Sequence, residues 1–118
     1  MENFSVELPL TGEYLTTVRL TTGGICALAG FDVDAAEDYK VCVTESLLIL
    51  KRNGFLRAKI DFTVDEALAC EVYGMQLEGE REETFEEEIS VALLSALLGD
   101  VKFEKNAQGV VEKISFEG

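Results

Sequence analysis

The chain of 118 residues is 47% hydrophobic and 28% charged with a single proline, a mixture that fits one globular domain over residues 1–118 and excludes a disordered chain. Its formal net charge of −13 works against a phosphate backbone or an anionic membrane as partner, because both are held by Lys and Arg. Histidine is absent, which removes the usual triad base and the histidine-containing zinc sites.

No apolar run reaches the ~20 residues of a membrane span, and the opening MENFSVEL lacks a basic and then apolar leader, so a cytoplasmic location is expected. Cys26, Cys42 and Cys70 are odd in number, widely spaced and set among apolar neighbours, which reads as reduced core thiols rather than a disulfide or metal framework.

In chain order, Phe4 to Leu8 alternates apolar and polar and ends at Pro9, the pattern of a half-buried strand. From Gly12 the period changes, with Leu15, Val18, Thr22, Ile25 and Ala29 at helical spacing and Gly30 as a stop. Gly23-Gly24 inside that helix predicts either a kink or a close approach. Asp34-Ala35-Ala36-Glu37 has the form of a capping box, opening a second helix that runs to Asn53-Gly54. Val41, Cys42, Glu45, Leu48 and Ile49 share one face of it, and Tyr39, Val43, Leu47 and Leu50 the other, so the helix is expected at the centre of the domain.

Ala58 to Val64 alternates as a strand, Asp65-Glu66 reads as a turn, and Leu68 to Met75 returns. Residues 78–83 form a loop rich in glutamate, and Thr84-Phe85-Glu86-Glu87 is a second capping-box pattern that starts a third helix ending at Gly99. The glutamate run lacks the alternating ligand order of a calcium loop and reads as a solvated face or as a surface for a partner's basic patch. Phe85, Ile89, Ala92, Leu93 and Ala96 make the expected core stripe of that helix. Val91, Leu94 and Leu98 lie roughly opposite, to be covered inside the domain or by another chain, including a second copy. Val101 to Glu104 and Val110 to Phe116 are two further strands joined around Asn106 to Gly109. The order β-α-α-β-β-α-β-β predicts an α+β two-layer sandwich, a mixed or antiparallel sheet of about five strands with three helices on one face.

The stretches GEYLTTVRLTTGGICALAGFD, DAAEDYKVCVTESLL and LLSALLGDVKFEKNAQGVVEKISF, in this element order, resemble the anti-sigma-factor serine kinases of the RsbW and SpoIIAB type, which carry the GHKL (Bergerat) histidine-kinase-like ATPase fold. In that family the second helix holds a V-S-E-A-x-x-N box whose asparagine binds magnesium and whose glutamate acts at the reaction centre. Val43-Thr44-Glu45 matches its start, but Ile49 stands in the asparagine's place and has no oxygen for a hard cation. Asn53, two turns beyond Glu45, is a poor substitute. The family's adenine-reading aspartate falls at Gly74, and its glycine-rich lid falls on EGEREETFEEE, where Glu82, Glu83, Glu86, Glu87 and Glu88 would repel phosphate from a helix N-terminus.

The resemblance therefore implies a degenerate member. It would be a non-catalytic, protein-binding regulator with Glu45 as a vestigial catalytic carboxylate and Glu45, Ile49 and Gly74 as former pocket positions, needing neither metal nor nucleotide. Arg19 would stand on the surface turned towards a sigma factor or its antagonist, or would merely be one of the few basic residues of the surface. The alternative is a divergent ATP- and magnesium-binding serine kinase that uses Glu45.

Overall fold

The computed structural model describes residues 2–79 and 85–118, with the backbone alone for Phe85 and Glu86. The elements are β1 (Glu2–Pro9), α1 (Gly12–Leu28), α2 (Val33–Arg52), β2 (Phe55–Val64), β3 (Leu68–Leu77), α3 (Phe85–Leu98), β4 (Lys102–Lys105) and β5 (Val111–Glu117). They make a two-layer α+β arrangement. The five strands form one sheet in the order β1-β2-β3-β5-β4, with every neighbouring pair antiparallel.

Alternation along the strands decides which face is covered. Leu8, Ala58, Ile60, Phe62, Leu68, Cys70, Val72, Ile114 and Phe116 are buried beneath the helices. The other face carries paired charges: Lys113 Nζ lies 2.7 Å from Glu71 and 3.3 Å from Glu104, and Lys59 Nζ lies 3.7 Å from Asp61. The hydrogen bond from Lys113, then that from Tyr73, holds the Glu71 carboxyl below its usual range.

α2 is central, as its two apolar faces predict. It packs on α1, α3 and strands β2, β3 and β5, and buries Tyr39, Cys42, Val43, Leu47, Ile49 and Leu50. The Tyr39 hydroxyl donates to the Leu68 carbonyl at 2.9 Å, and the Tyr39 ring meets Phe31 and Phe116 edge-on, each at 5.4 Å between centroids. Burial raises the Tyr39 hydroxyl and all three thiols, Cys42 to about 12, so the cysteines are free, buried and unreactive. In α1 the glycine pair gives a close approach rather than a break: the helix is continuous, and a Cβ on Gly23 would lie 2.7 Å from Cε of Lys40.

Two expectations about helices need correction. The N-cap of α2 is Asp32, not Asp34: the Asp32 carboxylate accepts the Ala35 N–H at 2.7 Å, while Glu37 pairs with Lys40 at 2.9 Å. Either aspartate satisfies the local pattern; Phe31, just before the helix, meets Tyr39 within it. We expect Asp32→Ala to cost about 1 kcal/mol in a thermal or urea melt and Asp34→Ala only a few tenths, through the helix dipole. The reverse order would return the cap to Asp34.

The second correction concerns α3. Its buried residues are Ser90 and Leu94, flanked by half-buried Glu87, Val91 and Leu98, whereas Ile89, Ala92, Leu93 and Ala96 are exposed. The inward side is the one whose polar residues find partners on α2. The capping-box residue Thr84 and the loop positions 80–83 lie outside the described residues.

Candidate functional site

Glu45, Ile49, Arg52 and Asn53 follow at spacings of four, seven and eight, which puts them on one side of α2. That side meets α3 and the start of β5. Ser90 Oγ donates to Glu45 Oε2 at 2.5 Å and accepts from Arg52 Nη2 at 2.8 Å. One short chain of hydrogen bonds thus runs from a glutamate through a hydroxyl to an arginine, and ties α3 to α2. Arg52 Nη1 is buried without a hydrogen-bond partner among the described residues. Glu45 is half-buried and its carboxylate is engaged by the protein itself.

Asn53 is more deeply committed. Its Nδ2 donates to the Ile49 carbonyl at 2.8 Å and to Glu87 Oε1 at 3.1 Å, and its Oδ1 accepts the Val111 N–H at 3.1 Å. A single buried side chain therefore closes the end of α2 and joins it to α3 and β5. Gly54 follows at φ +98°, where a Cβ would come within 2.4 Å of the Gly79 carbonyl oxygen, so only glycine fits this helix stop.

Ile49 is fully buried yet borders a groove of about 490 Å³ between α2, α3 and the β4–β5 hairpin. Val91, Ala92, Phe103 and Val111 supply apolar walls, and Glu87, Glu88 and Lys105 supply charge. Glu45 is not among the lining residues.

Gly74 lies on the covered face of β3 opposite Ala58. A Cβ built there would stand 2.6 Å from Cγ and Cδ2 of Phe55 and 2.7 Å from Cδ1, so the Phe55 ring rests directly on the glycine. Simple alternation would turn Phe55 outward, away from Ala58 and Ile60. The ladder is interrupted between Leu56 and Gln76, Gln76 adopts φ +62°, and Phe55 is buried while Leu56 is exposed.

With this geometry in view, the comparisons carry weight for part of the chain. The chain is similar to the serine-protein kinase RsbW. The RsbW proteins of Listeria monocytogenes serotype 4b (strain F2365) and of Listeria innocua serovar 6a are each 33% identical to it over 54 residues. The matched segment is 46% of this chain, and the chain spans 34% of the length of these relatives. No family model matches the chain.

Of the positions that the RsbW-type resemblance singles out, Glu45 and Ile49 lie one turn apart on the side of α2 that meets α3, and Gly74 lies on β3 beneath Phe55. Arg19 stands apart on the exposed side of α1. Its charge adds slightly to the effect of Lys40, which is the main reason that the Glu37 carboxyl is lowered. Leu20 beside it is 76% exposed. Of the lid glutamates, Glu87 and Glu88 border the groove next to Ile49, while Glu82, Glu83 and the Glu86 side chain lie outside the described residues. Sequence reasoning missed Ser90, Arg52 and Phe55. Arg52 carried a usable signal, since it sits seven residues after Glu45 on the same side; Ser90 and Phe55 carried none, because their partners lie in other elements. Among the described residues, no group of three or more His, Cys, Asp or Glu is placed to hold a metal ion, and no helix is long and apolar enough to cross a membrane.

Proposed function

We propose that this chain is a regulatory protein-binding module of the anti-sigma type that works without nucleotide. The observation that carries the reading is the Phe55 ring seated on Gly74: where the resemblance puts an adenine-reading aspartate, not even a methyl group fits. Two further features support it. Ile49 offers no oxygen to magnesium, and the Glu45 carboxylate is already bound by Ser90, so the residues present do not fit a magnesium–nucleotide complex. On this reading the seam between α2 and α3 has a structural role, and binding falls to exposed surface such as Arg19 and Leu20 on α1. A sigma factor or its antagonist is the partner class that the resemblance implies.

Titration calorimetry of the chain with ATP and Mg²⁺ is expected to give no magnesium-dependent heat at micromolar to millimolar nucleotide. In capture assays with the host's sigma factors and antagonist proteins, Glu45→Gln should bind within a few-fold of the parent, because glutamine can still accept from Ser90. Arg19→Glu should weaken capture at least tenfold. Magnesium-dependent ATP binding would instead favour the alternative, a divergent serine kinase, which draws on the similarity to serine-protein kinase RsbW and on the open groove beside Ile49.

A further inference from the structure

The outward side of α3 is apolar along its length. Ile89 is 58% exposed, Leu93 38% and Leu97 36%, and the exposed small residues Ala92 and Ala96 lie between them at helical spacing. A surface helix normally presents charge on this side. Here two polar residues of the helix, Glu87 and Ser90, are turned towards Asn53, Glu45 and Arg52, which leaves the longer aliphatic stripe facing out. Ala92 also lines the groove beside Ile49, so the stripe adjoins the apolar wall of that groove. Small residues at the middle of such a stripe let a second helix approach to roughly 8 Å.

Charge decides what covers it. Residues 78–88 contain seven glutamates and one arginine, and α3 itself has three glutamates and no Lys or Arg. Just past the other end of the helix stands exposed Asp100. Exposed Lys102 stands two residues on and Lys105 lines the groove, so the acidity is concentrated at the glutamate-rich end. A second copy laid parallel on the stripe would bring glutamates against glutamates, and in either orientation each molecule carries −13. A helix with a cationic flank meets complementary charge at the glutamate-rich end and buries the apolar stripe that follows it. We propose that the outward face of α3, with the adjoining groove, is the docking surface for an amphipathic helix of a protein partner, apolar on one side and bordered by Lys or Arg. The proposal rests on the reading of this chain as a protein-binding module and adds a surface distinct from Arg19.

The test uses the whole chain and two synthetic helical peptides that share one leucine face, one with lysine and the other with glutamate at every polar position. Fluorescence anisotropy should show the lysine peptide binding and the glutamate peptide at least a hundredfold weaker. The double substitution Ile89→Ser with Leu93→Ser, which removes exposed apolar surface and leaves every charge in place, should weaken the lysine peptide at least tenfold while circular dichroism and melting stay unchanged. If the lysine peptide fails to bind, or binds the double variant equally well, the proposal is overturned, the latter result meaning attraction by charge alone. A dimer in sedimentation equilibrium that the double variant dissolves would assign the face to a second copy and overturn it as well. None of these outcomes depends on nucleotide, so failure here and failure of the calorimetric test are separable.

Discussion

Gly74→Asp is expected to destabilise the protein severely and, on the function proposed above, to confer no affinity for adenine nucleotides. The substitution puts a Cβ within 2.6 Å of the near atoms of the Phe55 ring, whose base carbons cannot swing aside as the far end of a flexible side chain would. Phe55 is buried between β2 and the end of β3, so relief requires the strand or the ring to move. Overpacking at a site this tight costs about 1–3 kcal/mol, and the buried carboxylate adds several more unless it reaches water. Gly74→Ala isolates the steric part and should cost about 2–3 kcal/mol in urea unfolding. Phe55→Ala alone should cost about 3–5 kcal/mol, and the double substitution clearly less than the sum, because the cavity accepts the new methyl group. Strict additivity would mean that ring and glycine do not oppose each other, and would remove the main support for the proposed nucleotide-free function.

Asn53→Ala is expected to lower stability by about 2–4 kcal/mol, because it deletes three hydrogen bonds and leaves the Val111 N–H buried without an acceptor. For a chain of this size that corresponds to a fall in melting temperature of roughly 4 °C per kcal/mol. Asn53→Asp keeps the acceptor for Val111 but sets a carboxylate against Glu87, so its stability should recover in part as the pH is lowered and one of the two is protonated. A loss below about 1 kcal/mol for Asn53→Ala would show that the three-way junction is replaced by water at little cost.

Much of this architecture was legible residue by residue. The alternation of residues 58–64 and 68–75, the turn between them, and Gly30, Gly54 and Gly99 as helix stops all correspond to observed elements, with positive φ at each of the three glycines. The spacing of Glu45, Ile49 and Asn53 showed which side of α2 they share. What they face was not legible. Ser90, Glu87 and Val111 lie 45, 34 and 58 positions from their partners on α2. The inward turn of Phe55 depends on an interruption of the ladder that no strand pattern announces.

The sequence by itself determined the element order, the antiparallel pairing within the two hairpins and the central place of α2, while it left the sheet as a whole mixed or antiparallel. Caps, glycine stops and hydrophobic periods act within a few residues, and two apolar faces on one helix demand cover on both sides. Only the tertiary structure decided that Asp32 rather than Asp34 caps α2, that the Leu94 side of α3 turns inward, and that an aromatic ring lies on Gly74. For α3 and for Gly74 the choice follows from contacts with another element, Ser90 on Glu45 and Phe55 on Gly74, which local pattern does not announce.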